Sequence, residues 1–191
     1  MIPSEIGIVA VKAARETVTS ETEGSVPDID FPKEFEDNYG VFVTLNTYPE
    51  GDLRGCIGYP EPAFPLKDAL VFSAQSACHD PRFPPLSREE AENCTVEVTI
   101  LTPPEPVDKS MLPDCIEIGR DGLIIRFGRR SGVLLPQVAE EWGWTKEEYL
   151  AQICLKAGLP TEAWTFSDSE LYSFQGEIYR EVTPCGDIEG R

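Results

Sequence analysis

The hexapeptide Leu53-Arg54-Gly55-Cys56-Ile57-Gly58 sets a thiol two residues after a guanidinium and brackets that thiol with glycines. A guanidinium holds a carboxylate or phosphate bidentately and favours the thiolate form of a nearby cysteine. Glycine lets the backbone take positive φ and lets another group come close. The chemistry this suggests is an anion-binding strand end that carries a nucleophile, with Cys56 attacking and Arg54 clamping the substrate. The same letters also describe a strand with a glycine bulge, a packed and inert thiol, and an arginine in a structural ion pair. The residue types alone leave both readings open.

A hairpin must position these side chains. Val41, Val43 and Leu45 alternate as a strand, Pro49-Glu50-Gly51-Asp52 supplies a turn, and the hexapeptide returns as the partner. A regular returning strand places Arg54 and Cys56 on one face, with Gly55 the residue able to break the alternation. Before the hairpin, Ile6, Val9, Ala10, Ala13 and Ala14 recur at helical spacing from a start near Pro3-Ser4, and the signal fades by Thr19. Residues 20–38 are acidic, contain Pro27 and Pro32, and read as a long connection.

After the hairpin, a helix over residues 66–78 buries Ala69, Leu70, Phe72, Ser73 and Ala77 and ends at His79-Asp80-Pro81, because the residue before proline is pushed out of the α region. Ser87-Arg88-Glu89-Glu90 has the form of a capping box and opens a short helix. Val96, Val98 and Ile100 mark a strand that Pro103, Pro104 and Pro106 stop. Cys115–Ile118, Leu123–Phe127 and Val133–Leu135 read as strands, with turns at residues 119–122 and 129–132. Pro136 opens a helix to about Trp142. Thr145-Lys146-Glu147-Glu148 opens another, closed by Gly158 and Pro160. A last strand covers about 171–182. Trp142, Trp144 and Trp164 read as core.

Hairpins with helices inserted between them give an α+β fold with a mainly antiparallel sheet flanked by helices. The proline-rich stretch around 103–114 lets the middle of the chain form a smaller second lobe. Residues 1–184 read as a single domain. Residues 185–191 are set aside as a tail, since Ile188-Glu189-Gly190-Arg191 spells the site of a protease used to remove tags.

The chain carries 16 basic and 34 acidic residues, a net charge of −18. That excess disfavours binding along a nucleic acid backbone or an anionic membrane, although a local basic pocket can still hold a small anion. No run approaches the roughly 18 apolar residues of a membrane span, and the N-terminus does not read as a signal peptide, so the expected location is the cytoplasm. Six scattered cysteines with no Cys-x-x-Cys pair read as free thiols. One histidine, His79, and no ligand spacing predict no metal, and no phosphate or dinucleotide loop points to a cofactor.

The hexapeptide resembles the signature of the AMMECR family of archaea, bacteria and humans. Asp80-Pro81-Arg82-Phe83-Pro84-Pro85 resembles the family's next motif. Leu101-Thr102 with Glu105, then Leu135-Pro136-Gln137-Val138-Ala139 and Gly143-Trp144, follow in the family's order. The resemblance runs from about Val41 to Pro160. It implies a larger α+β part, a smaller lobe, and motif residues gathered around a cleft, but no particular reaction. Relatives encoded beside or fused to Memo-like and radical-SAM proteins imply a modification pathway acting on RNA or another nucleotide-like substrate. His79 lies outside the family pattern and is not taken as a general base.

On this footing the candidate site comprises Cys56 as nucleophile, with Arg54, Gly55, Gly58, Asp80, Arg82, Glu105 and Gln137 as binding residues. Asp80 and Arg82 either support the site or pin the proline-rich turn. Glu105 is an acid or base or a solvated loop carboxylate, and Gln137 presents its amide at a helix start or is idle. Two functions follow: an enzyme acting on a small anionic or nucleotide-like substrate, or a non-catalytic adaptor that captures a Memo-like partner through the same cleft.

Overall fold

The structure, a computed structural model, describes residues 4–190. Pro3, at the predicted helix start, and Arg191, at the end of the tail, lie outside the described residues. In chain order the elements are α1 (Ser4–Glu23), β1 (Gly40–Thr47), β2 (Leu53–Tyr59), α2 (Leu66–Cys78), α3 (Arg88–Asn93), β3 (Cys94–Leu101), β4 (Glu105–Pro106), β5 (Asp121–Phe127), β6 (Arg130–Leu134), α4 (Pro136–Glu141), α5 (Lys146–Lys156), β7 (Glu170–Glu181) and β8 (Ile188–Gly190). Each strand pair of defined register is antiparallel, so the fold is α+β. The chain divides into two compact units, one holding the residues up to Leu101 and those from Glu177 onward, the other Thr102–Gly176.

In the first unit β1 lies between β2 and β3. Val41, Val43 and Leu45 of β1 and Val96, Val98 and Ile100 of β3 are fully buried in one core with Ala10, Val11 and Ala14 of α1 and Leu66, Leu70 and Ala74 of α2. The alternate residues Phe42, Thr44 and Asn46 stay half-buried on the other face. Helix α1 runs one turn past its apolar signal, since Val18 and Ser20 still pack inward; buried Thr17 satisfies its hydroxyl on the Ala13 carbonyl at 2.8 Å. The connection after it anchors Phe35, fully buried on a short 3-10 turn. Phe72, expected in the core, is exposed instead and packs edge-on against Phe64 at 6.3 Å. The tail is partly built into this unit: Ile188–Gly190 pairs with β7, and Ile188 packs on the core.

In the second unit β5 pairs with β6 on one side and β7 on the other. Leu123, Ile125, Leu134 and Leu171 form its core with Ala139 of α4 and Tyr149, Leu150, Ile153 and Cys154 of α5. The predicted strand at 115–118 is a run of turns, because the Asp121 carboxylate accepts the Glu117 N–H at 2.9 Å and curls the backbone there. Gly132, predicted in a turn, lies inside β6, where a Cβ would come within 2.9 Å of the amide nitrogen of Ala157, just past the end of α5. The turn falls earlier, at Gly128, whose φ is +60°.

Candidate functional site

Arg54 and Cys56 do not share a face. Leu45 opposes Gly55 and Asn46 opposes Leu53, so Arg54 is the extra residue of a β-bulge. The bulge turns both Arg54 and Gly55 toward the helix-covered side that Leu45 occupies. The Arg54 side chain is 9% exposed, and its Nε donates to Glu90 Oε1 at 2.9 Å. Its Nη2 donates to Glu90 Oε2 at 3.1 Å and to the Pro84 carbonyl at 3.0 Å. These bonds to Glu90 raise the already high pKa of the guanidinium. Arg54 therefore ties α3 and the proline-rich loop to the hairpin through Nε and Nη2, while its buried Nη1 has no hydrogen-bond partner. Gly55 is required by close approach, since a Cβ there would lie 2.3 Å from the Ala77 carbonyl oxygen at the end of α2.

Cys56 opposes Thr44, on the face away from Val43 and Leu45. The Thr44 hydroxyl donates to its sulfur at 3.2 Å, and the residue is half-buried. Its main chain is held by the loop after α2. The Cys56 N–H donates to Asp80 Oδ2 at 2.9 Å, and Arg82 Nη2 donates to the Cys56 carbonyl at 3.3 Å.

Asp80 organises this loop. Its side chain is 1% exposed and accepts the Cys56 N–H, the Arg82 N–H at 3.0 Å and the Arg82 guanidinium at 2.6 Å. The guanidinium, followed by the two N–H groups, holds the carboxyl well below the usual carboxylate range against the opposing effect of burial. Arg82 itself is half exposed. One buried anion thus fixes an exposed cation beside the strand that carries the thiol.

The other thiols divide by environment. Burial pushes Cys78 up to about 12 and also raises Cys94 and Cys154. Cys115 and Cys185 are exposed. Among the described residues no three histidine, cysteine or acidic side chains cluster as a metal site, and no helix is long and apolar enough to cross a membrane.

Gly58 opposes Phe42, and a Cβ there would lie 2.2 Å from the Val41 carbonyl oxygen. Glu105 and Gln137 belong to the second unit. Glu105 is exposed on β4 opposite Ser173, and Gln137 is half-buried in the first turn of α4. A separate polar hollow of about 470 Å³ in the first unit runs along Asn46, Thr47, Tyr48, Glu97, Arg180 and Glu189, and Cys56 is not in its lining.

The profile of the AMMECR1 family matches residues 11–179. The chain belongs to the AMMECR1 family. It is 46% identical over 193 residues to protein MJ0810 of Methanocaldococcus jannaschii, covering 98% of this chain and 96% of that protein. An Aquifex aeolicus protein is 51% identical over 160 residues, covering 82% of each. The crystal structure of PH0010 from Pyrococcus horikoshii is similar with a TM-score of 0.84 and 45% identity, covering 98% of this chain and 97% of that one.

Two residues that bear on the site in this AMMECR1 chain escape a reading of the hexapeptide. Thr44 is found only through hairpin register, and the register shifts at the bulge. Glu90 is legible as the closing residue of a capping box with Ser87, which it forms, yet the same carboxylate also holds Arg54.

Proposed function

We propose that this AMMECR1 chain performs thiol chemistry at Cys56 on a small substrate whose anionic group docks on Arg82, not on Arg54. The observation that carries this reading is the Asp80 clamp, which holds the Cys56 backbone and the Arg82 guanidinium through one buried carboxylate. Thr44 fixes the sulfur with a hydroxyl donor. An exposed, fixed guanidinium suits a carboxylate or phosphate, including that of a nucleotide-like substrate.

Alkylation in a Cys115→Ser/Cys185→Ser background tests this. Cys56 reacts before Cys78, Cys94 and Cys154, and anionic iodoacetate gains on neutral iodoacetamide relative to a free thiol. Arg82→Gln removes that gain and Arg54→Lys keeps it. A Cys56 that stays unmodified, or a reagent ratio indifferent to Arg82, overturns the proposal.

A further inference from the structure

Trp142 lies outside the thiol site and, contrary to the sequence reading, outside the core. It is 71% exposed. Its ring stacks on Trp144 at 6.1 Å and 18°, and Trp144 in turn lies 6.4 Å from fully buried Tyr149. An aromatic ladder therefore runs from the core of the second unit to solvent, and the outermost indole is its open rung. The backbone that presents it is locked. The Trp142 N–H bonds to the Val138 carbonyl at 3.2 Å, the Gly143 N–H to Glu140 at 3.1 Å, and the Trp144 N–H to Ala139 at 2.9 Å, with Gly143 at φ +63°. This is a tight glycine close of α4, so the platform is preorganised.

The chain on either side of it is acidic in sequence. Glu140 and Glu141 precede Trp142 and are exposed, and Glu147 and Glu148 follow on α5. The nearby cation in sequence, Lys146, is turned to the Asp114 carbonyl at 2.9 Å. The whole chain carries −18. An indole face attracts cations, and the acidic charge of the chain around it adds to that attraction. The same carboxylates oppose the phosphates of a nucleotide or RNA strand, which would otherwise stack on such a ring. An indole this exposed is not enclosed as a pocket encloses a small ligand, so the occupant must bring contacts of its own. Arginine fits best, since its planar guanidinium stacks on a ring while its edge donors reach carboxylates.

We infer that the Trp142–Trp144 stack, with Glu140 and Glu141, is a docking surface for an arginine-bearing basic segment of a partner protein. Calorimetric titration of the full chain with an arginine/glycine peptide tests it, beside the lysine/glycine peptide of the same length, AMP and single-stranded RNA. The arginine peptide binds more tightly than the lysine peptide, with an affinity that falls as salt rises. Trp142→Ala weakens it about two- to fivefold, the range of an exposed cation–π contact. Trp142→Leu, which keeps apolar area but no ring, weakens it as much, and Glu140→Gln/Glu141→Gln weakens it further. Circular dichroism confirms that each variant is folded. No binding of the arginine peptide, full affinity in Trp142→Leu, or tighter binding of AMP or RNA overturns the inference.

Discussion

Asp80 and Cys56, 24 positions apart in the chain, are joined by the Cys56 main-chain N–H donating to the Asp80 carboxylate at 2.9 Å. Because the same carboxylate also takes the Arg82 guanidinium, one buried group sets where the strand, the loop and the exposed cation lie. The site's geometry is thus a consequence of the loop after α2 as much as of the hexapeptide.

Asp80→Ala leaves the Cys56 and Arg82 N–H groups without their acceptor in a place shielded from water. Loss of a buried, hydrogen-bonded charge of this kind costs about 2–4 kcal/mol. Asp80→Asn keeps one acceptor oxygen and costs less. Urea unfolding should show a lower midpoint in both, in that order, with unchanged slope.

Arg54 and Arg82 separate by what their removal does. Arg54→Met strips Glu90 and the Pro84 carbonyl of a largely buried partner and lowers stability by about 2 kcal/mol or more. Arg82→Gln takes the guanidinium from the buried Asp80 carboxylate and so costs stability as well, but it alone abolishes the Cys56 reagent preference. A stability scan of the two variants beside the alkylation ratio resolves the roles; equal loss of reagent preference in both would return Arg54 to the site.

Acid should loosen the α3 end of the first unit. Glu90 is pulled down to about 2, first by its bond to Arg54 and then by the Ser87 N–H. A carboxyl whose folded pKa is depressed binds its proton more readily when unfolded. Its contribution is complete above the unfolded value of about 4.3 and is lost as pH falls toward about 2. Asp80 acts in the same direction. Thermal unfolding followed from pH 5 to pH 2 should fall steeply, and Glu90→Gln should flatten the fall. An unchanged slope in that variant would show that other carboxylates carry it.

Local chemistry was legible and long-range crowding was not. The bounds of α2 and both capping boxes, Ser87 with Glu90 and Thr145 with Glu148, follow from residues within one helical turn of each other, and the structure has them. The hexapeptide's glycines allowed a bulge as one of two readings, but the close approach of the Ala77 carbonyl from α2 to Gly55, which goes with the bulge at Arg54, is a contact that no spacing within the hexapeptide encodes. Alternation therefore put Arg54 and Cys56 together, while packing put them apart. Trp142 misled for a related reason. Its apolar type argues for burial, yet Gly143 closes α4 just after it and leaves the ring outside.

Both glycines of the hexapeptide should be intolerant of even a methyl group, for steric reasons independent of catalysis. At Gly55 a Cβ would stand 2.3 Å from the Ala77 carbonyl oxygen, and at Gly58 it would stand 2.2 Å from the Val41 carbonyl oxygen and 2.6 Å from the Phe42 Cα. Both obstacles are backbone, one at a helix end and one on a paired strand, so neither can move without breaking its own element. Overpacking of this kind costs about 1–3 kcal/mol where side chains can yield, and these sites lie at or beyond the upper end. Gly51, in the turn of the same hairpin, has nothing within 4 Å of a built Cβ but sits at φ +76°, so Gly51→Ala suffers only backbone strain. Denaturant midpoints should rank Gly51→Ala well above Gly55→Ala and Gly58→Ala. If Gly55→Ala proved as stable as Gly51→Ala, the contact between β2 and the end of α2 would not be as close as described.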